Sequence, residues 1–173
     1  DQKGTVRTRY GNREEYADCI TAFHEQQMKV LADIVLNHKL GGDEKEQVPV
    51  KKVNPGNRTE ITGETQTVEA YTRFTFPGRN KKYSDFVWDW HSFTGLSENG
   101  DIALIMNEYG NGSWEDVIED EFGNYDYLMG NDIEFRNPYV REELKKWGVW
   151  YTATTGVNGF RLDAVKHINP AFF

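Results

Sequence analysis

The sequence has a single cysteine and no long apolar stretch. Cys19 cannot form an internal disulfide, and its amphipathic surroundings predict that it packs as a small hydrophobic side chain. No apolar stretch approaches the roughly 20 residues that are needed to cross a bilayer. Runs of lysine or arginine are also missing, and the formal net charge is -8. These absences argue against nucleic acid and membrane as partners and favour cations or neutral polar ligands.

The sequence does contain enough apolar material for a core, and it begins a helix–strand pattern. Hydrophobic residues make up 38% of the chain, which allows a packed globular domain. Asn12 can cap a helix with Glu15 three positions later, so we predict a helix over 13–27. The apolar run from Val30 to Leu36 is typical of a parallel strand that is covered on both faces.

The same pattern returns later in the sequence. Asn137 and Pro138 form a helix start, and an apolar stripe from Val140 to Tyr151 gives that helix a buried face. The segment VNGFRLDAV is then typical of a second strand. The order helix, strand, helix, strand predicts an α/β fold with a parallel sheet. Such a sheet could be part of a (β/α)8 TIM barrel or a doubly wound sheet.

The stretch between the first strand and the second helix is about a hundred residues long, whereas a βα loop usually has about 2 to 6. We therefore predict an inserted domain over 39–136, between residues 1–38 and 137–173 of the α/β part. Aromatic and β-branched residues are frequent in Thr67 to Phe76 and Tyr83 to Trp90, which predicts antiparallel β structure with long loops. The insertion follows the C-terminal end of a parallel strand, where both architectures place ligands.

The strongest chemical signal is GFRLDAVKH, which runs from Gly159 to His167. In an extended strand, Arg161 and Asp163 point to one face and the apolar residues beside them point to the other. Burying an unpaired carboxylate costs several kcal/mol, so the pair is either structural or held for chemistry in a polar cavity. In the second case, Arg161 would favour the ionised form of Asp163 that a nucleophile needs.

Two segments, ADIVLNH and GFRLDAVKH, resemble signature segments of the α-amylase family, glycoside hydrolase family 13, and occur in that family's order. Between them, FPGRNKKYSDF and GNYDYLMGNDIEFRNP resemble the inserted domain of bacterial liquefying α-amylases, including the intracellular type. The likeness covers nearly the whole chain. It implies part of a TIM barrel with an inserted, mainly antiparallel β domain, called domain B, after a barrel strand.

The resemblance implies catalytic or substrate-binding roles for several residues. Asp163 is the expected nucleophile, and Arg161 is its neighbouring arginine. His38 is expected to hydrogen-bond the sugar at the cleavage subsite, although a histidine at a strand end is by itself more often structural. Lys166 and His167 are expected to line the subsites on the leaving-group side.

Aromatic residues are abundant in the predicted insertion. Sugar rings stack on exposed aromatic faces, and Tyr125 and Tyr127 are the candidates for contact with substrate. Most of the others, among them Trp88, Trp90 and Trp114, are expected in the core of the insertion.

Calcium is the predicted cofactor. Asp126 and Asp132 lie in the loop-like stretch GNYDYLMGND, and oxygen ligands from a loop suit Ca2+. Two aspartates in a polar loop are by themselves more often solvated turn residues. The resemblance adds Asn37 as a third side-chain ligand and the backbone carbonyl of His167 as a fourth.

The expected number of calcium ions is one. Some secreted relatives carry extra acidic residues in this region for further metals. Here Glu134 and Arg136 occupy positions at which such aspartates would be expected.

The resemblance implies endo-hydrolysis of α-1,4-glucosidic bonds in starch, glycogen or maltodextrins by a retaining double displacement. Such a mechanism needs two carboxyl groups about 5 to 5.5 Å apart, and Asp163 supplies one of them. No glutamate of the chain matches the family's acid motif, so we expect a fragment of a longer enzyme without activity of its own.

Two alternative functions are open at this point. The parent protein could be a related transglycosylase or an oligosaccharide-specific glucosidase, and the isolated chain could be a non-catalytic, calcium-stabilised carbohydrate-binding fragment. The expected partner is an α-glucan polysaccharide or a maltooligosaccharide, and the full-length form is expected to be a monomer.

Overall fold

The computed structural model describes residues 7–173, apart from the side chain of Glu98. This part of the chain contains two α-helices, α1 (Arg13–Glu25) and α2 (Pro138–Thr155), and several short 3-10 helices. Its strands are β1 (Leu31–Ile34), β2 (His38–Lys39), β3 (Glu44–Asn54), β4 (Asn57–Ile61), β5 (Gln66–Arg73), β6 (Phe93–Glu98), β7 (Asp101–Ile105), β8 (Asn131–Ile133) and β9 (Gly159–Leu162). No helix in residues 7–173 is long and apolar enough to cross a membrane.

The chain folds into two compact units, each of which is assembled from separate stretches of sequence. The first unit contains the described residues up to Ile34 together with Phe76–Phe86 and Glu142–Leu162. The second unit contains Val35–Thr75, Val87–Arg141 and Asp163–Phe173. The predicted domains, 1–38, 39–136 and 137–173, were defined by sequence alone and stay a prediction.

The first unit has an α/β arrangement built on two parallel strands. β1 and β9 pair in parallel, with Asp33 opposite Arg161. Helix α1 begins with the predicted capping box, in which the Asn12 side chain accepts from the Glu15 N–H and the Glu15 carboxylate accepts from the Asn12 N–H. Helix, strand, helix and strand follow one another as predicted. This order and the parallel pairing agree with the predicted α/β class.

The second unit is built around a seven-stranded sheet with the order β2-β8-β6-β7-β3-β4, in which β5 also pairs with β3. Its described pairings are antiparallel. Val48 and Val50 of β3, Phe93 of β6 and Leu104 of β7 are buried and form part of its core. The antiparallel β structure that was predicted between the two helices is therefore observed.

Two local predictions are wrong. Tyr83 to Trp90 forms no strand and contributes an isolated bridge between Phe74 and Trp88. Trp88 is nevertheless buried and stacks on Phe93, so aromatic packing here does not require a strand ladder. Cys19 is exposed, because Ile20 is the buried residue of α1 and Cys19 lies outside that narrow stripe.

The first predicted strand is also shorter and more exposed than expected. β1 has four residues, and Leu31 is 62% exposed while Ala32 and Ile34 are buried. β1 belongs to a two-stranded sheet in the described part of the chain.

Candidate functional site

Pairing between β2 and β8 brings two predicted calcium ligands together. His38 is the pairing partner of Asp132, and the Ile133 N–H donates to the Asn37 carbonyl at 2.9 Å. The Asn37 side chain is fully buried, and its Nδ2 donates to Asp132 Oδ1 at 3.1 Å. Strand register therefore places the Asn37 amide against the Asp132 carboxylate.

Two oxygen atoms at this junction have no hydrogen-bond partner among residues 7–173. They are Asn37 Oδ1 and Asp132 Oδ2, and both are buried. Leaving a buried polar atom unsatisfied costs about 1–3 kcal/mol, and more when the group is charged. Carboxylate and amide oxygens are ligands that Ca2+ prefers, so a cation would satisfy both atoms.

Asp126 is held in place by a set of backbone contacts. Its Oδ2 accepts from the Glu115 N–H at 2.8 Å, and its own N–H donates to Asn124 Oδ1 at 2.8 Å. Asn124 Nδ2 in turn donates to the Glu115 carbonyl at 2.9 Å. These reciprocal bonds fix the loop around Asp126 against Glu115 and leave the carboxylate little freedom.

Negative charge accumulates around these aspartates. Glu115 and Glu134 are also buried, and Arg136 donates from Nε to Glu134 Oε1 at 2.6 Å and from Nη2 to Glu134 Oε2 at 2.8 Å. Burial raises the pKa of Asp126 and of Asp132, and in both cases neighbouring carboxylates raise the pKa further. Burial followed by the charge of Asp126 raises the pKa of Glu115. Arg136 alone therefore does not favour the ionised form of all these carboxyl groups.

His167 is buried beside the loop that carries Asp126. Its Nδ1 lies 2.5 Å from the Tyr125 carbonyl, and Nδ1 carries the proton because a carbonyl can only accept. The two rings are 4.6 Å apart between centroids. Lys166 is exposed and forms an ion pair with Glu119, which raises the pKa of Lys166. Sequence reasoning did not identify this partner of Lys166.

Asp163 lies directly after the end of β9. The next residue, Ala164, has φ 54° and ψ 26°, a left-handed conformation that is rare outside glycine and often found at functional sites. Burial lowers the pKa of His38, and the negative charge of Asp163 opposes that change. The charge of Asp163 therefore acts on His38, and the predicted catalytic and substrate-binding roles of the two residues stay predictions.

Arg161 is part of β9 in the first unit. Its Nη1 donates to Asp33 Oδ1 at 3.1 Å, and the two side chains are 56% and 65% exposed. Sequence reasoning did not identify Asp33, although a lone carboxylate within an apolar run was a visible signal. The predicted action of Arg161 on Asp163 stays a prediction.

The two candidate tyrosines lie in different surroundings. Tyr127 is 4% exposed and packs in a cluster with Val53, Leu104 and Trp114, and its predicted contact with substrate is not tested by this packing. Tyr125 is half-buried, and its contact with substrate stays a prediction. Trp114 is a core residue, as expected.

The arrangement can hold a cation only with help from groups other than acidic side chains. In residues 7–173, no group of three or more His, Cys, Asp and Glu side chains could hold a metal ion. A site at Asp126 and Asp132 therefore depends on the Asn37 amide and on backbone carbonyls, as the predicted ligand set does. Glu115 was missed, because a glutamate in an irregular loop has no periodic pattern that distinguishes it.

Comparison with known proteins gives a consistent result. Residues 3–172 match the profile described as "Alpha amylase, catalytic domain". The cytoplasmic alpha-amylase of Escherichia coli (strain K12) is 47% identical over 178 residues, covering 100% of this chain and 36% of that protein. The glucan 1,4-alpha-maltohexaosidase of Bacillus sp. (strain 707) is 47% identical over 177 residues, covering 99% of this chain and 34% of that protein.

A third relative, the alpha-amylase of Bacillus licheniformis, is 42% identical over 173 residues, covering 99% of this chain and 34% of that protein. The chain spans about a third of the length of these relatives. The family that the sequence motifs predicted is thus confirmed. Since the profile match extends over nearly all of its residues, the chain belongs to the alpha-amylase catalytic-domain family.

Proposed function

We propose that this chain is part of a retaining α-amylase that cleaves internal α-1,4-glucosidic bonds in starch, glycogen or maltodextrins. The observation that carries the proposal is the position of Asp163, which directly follows β9, the strand that pairs in parallel with β1. Relatives named alpha-amylase and glucan 1,4-alpha-maltohexaosidase support an α-glucan as substrate. In this proposal, β1 and β9 belong to a TIM barrel, and the antiparallel sheet belongs to domain B.

The chemistry of the chain centres on the Asp163 carboxylate. In the first displacement, an Asp163 oxygen forms a bond to the anomeric carbon while the bond from that carbon to the leaving oxygen breaks. A general acid gives its proton to the leaving oxygen. Water then hydrolyses the glycosyl–Asp163 ester, and two inversions give net retention. In this proposal, His38, Lys166 and His167 hold the substrate hydroxyls, and Arg161 orients the Asp163 carboxylate.

The test of the nucleophile is Asp163→Asn in the full-length protein. The amide cannot form the glycosyl ester, so kcat on starch should fall by at least about 10⁴-fold, as it does when other nucleophiles are removed. Asp101→Asn is the matched control, because Asp101 is an exposed carboxylate on β7 that pairs with Lys52 of β3, and it should leave kcat unchanged. Near-normal starch cleavage by Asp163→Asn would refute the assignment.

We also propose that the chain binds one Ca2+ through the side chains of Asn37, Asp126 and Asp132 and the carbonyl of His167. The residues fit this ion, because Asn37 Oδ1 and Asp132 Oδ2 are buried oxygens without a partner. Calcium would supply positive charge to a buried acidic cluster and take no part in bond breaking. The protein groups would hold the β2–β8 strand pair and the turn at His167 together around it.

The full-length protein is proposed to act as a monomer on an α-glucan chain. Transglycosylation and hydrolysis of short oligosaccharides are the alternatives within the family. Product analysis on amylose separates them, because endo-hydrolysis releases a range of maltooligosaccharides early, whereas a transglycosylase also makes chains longer than the starting ones.

A further inference from the structure

Strand β4 buries one side chain, and that side chain is an arginine. Arg58 is 6% exposed, whereas the remaining residues of Asn57–Ile61 are exposed. Arginine is almost never fully buried unless it is paired. None of the ion pairs found in residues 7–173 includes Arg58. Its charge is therefore stabilised by something other than a carboxylate.

Aromatic rings surround the Arg58 guanidinium. Its Cζ lies 4.3 Å from the ring centroid of Tyr125, 5.0 Å from that of Phe122 and 6.0 Å from that of Tyr127. These distances are those of cation–π contacts, which are stronger when the cation is desolvated. Nη1 also donates to the Tyr127 carbonyl at 2.5 Å. A planar guanidinium can stack on rings and donate within its plane at the same time, which an ammonium cannot.

The cage around Arg58 flanks a proposed calcium ligand. Asp126 lies between Tyr125 and Tyr127, so the guanidinium contacts the residues on both sides of it. Tyr125 also contacts His167 through its ring and accepts from His167 Nδ1 through its carbonyl. Arg58 therefore holds one face of the segment that carries Asp126, and His167 contacts the same segment.

A second route links Arg58 to Asp126 through the backbone. The Arg58 carbonyl accepts from Trp114 Nε1 at 2.8 Å. Trp114 precedes Glu115, whose N–H donates to Asp126 Oδ2 at 2.8 Å. The side chain and the backbone of Arg58 thus act on the two sequence segments that orient the Asp126 carboxylate.

We propose that Arg58 is a positioning residue for calcium binding, which holds the Tyr125–Tyr127 segment so that Asp126 and His167 can reach the ion. This inference rests on the proposed calcium site. Partners that orient metal ligands from outside the coordination shell change metal affinity by about 10–100-fold when they are removed. Arg58 would perform this role through its contacts with aromatic rings and with the Tyr127 carbonyl. It would fix the backbone on both sides of Asp126 and not the Asp126 carboxylate itself.

The test measures calcium affinity and apo-protein stability separately in the full-length protein. Calcium Kd is measured by isothermal titration calorimetry and by the loss of Tb3+ luminescence when calcium displaces bound Tb3+. Stability in EDTA is measured by chemical unfolding. Arg58→Met removes the charge and the donor while it keeps the apolar stem, and Arg58→Lys keeps the charge without the planar fork. Arg79→Met is the matched control, because Arg79 is an exposed arginine 4.2 Å from the Phe76 ring centroid.

We expect calcium Kd to rise about 10–100-fold in Arg58→Met, and by a smaller factor in Arg58→Lys, while Arg79→Met keeps the wild-type Kd. If the Arg58 variants unfold more easily in EDTA but bind calcium with the wild-type Kd, Arg58 only packs the core and the inference is overturned. If the wild-type protein binds no calcium, the proposed metal site fails instead, independently of Arg58.

A milder variant decides the question if neither Arg58 variant folds. Phe122→Leu removes one ring of the cage at a residue that is 37% exposed, so the fold should tolerate it. Losing one partly exposed cation–π contact should raise calcium Kd by about threefold. An unchanged Kd in a folded Phe122→Leu variant would overturn the inference.

Discussion

Each of the two units contains an arginine paired with a carboxylate, but the pairs have different surroundings. In the first unit, Asp33 and Arg161 are 65% and 56% exposed at their side chains. In the second unit, Glu134 is fully buried and Arg136 is 26% exposed. Water already stabilises the exposed charges, so that pair adds little. The buried carboxylate depends on its partner, because removing the partner leaves a charge in a medium of low polarity.

The second unit also contains two buried aspartates that differ from Glu134 in their ion pairing. Asp126 and Asp132 are as buried as Glu134, but no ion pair in residues 7–173 joins either of them to a cationic side chain. The comparison teaches that, among the ion pairs of residues 7–173, Arg136 pairs with Glu134 and not with Asp126 or Asp132. In the proposed site, a calcium ion would supply the positive charge for these two aspartates.

The largest effect should come from removing the buried internal cation. Arg136→Met should lower the free energy of unfolding by about 3 kcal/mol, because Glu134 is left without its counter-ion. Arg73→Met removes an arginine that pairs with Glu44 and Glu46 at 38% exposure and should cost no more than about 1 kcal/mol. Denaturant unfolding at saturating calcium measures both values. Equal losses would break the contrast between buried and exposed pairs.

The next effect concerns the external cation. Calcium at a hundred times its Kd should raise the free energy of unfolding by about 2.7 kcal/mol, and EDTA should remove that gain. Magnesium should give less, because it demands octahedral geometry and loses water reluctantly. Asp132→Asn should abolish the difference between calcium and EDTA, whereas Asp101→Asn should keep it. Unfolding of the wild-type protein that does not depend on calcium would contradict the proposed site.

The smallest effect is expected at the exposed pair of the first unit. In the 173-residue chain, Asp33→Asn should change the free energy of unfolding by no more than about 0.5 kcal/mol, and high salt should reduce even this difference. The measurement is denaturant unfolding at low and high ionic strength. A loss above about 1 kcal/mol that persists in high salt would show that the pair behaves like a buried one, and the comparison would then fail.

The sequence predicted the local elements with strong periodic or capping signals. Helix α1, with its Asn12 and Glu15 capping box, and helix α2 after Asn137 were both placed correctly. The Tyr83–Trp90 segment was misjudged, because aromatic residues favour burial and burial does not require a strand. The long strand β3 was not located, since its polar and β-branched residues alternate only in part.

The candidate site was predictable only where a motif existed. The motifs pointed to Asn37, Asp132 and Asp163, and the structure brings Asn37 and Asp132 into contact. Arg58 gave no signal, because β4 is otherwise polar and exposed, and an arginine in such a strand is usually solvated. Contacts between residues that are far apart in sequence depend on strand register, which one sequence alone does not define.

The contact between Asn37 and Asp132 joins residues 95 positions apart. On a ribosome that adds about 5–20 residues per second, Asp132 is synthesised roughly 5–20 s after Asn37. Throughout that interval the nascent chain holds Asn37 but lacks Asp132. In the proposed site, calcium would therefore act only after Asp132 has been made, as a ligand that locks an assembled region rather than one that starts its folding.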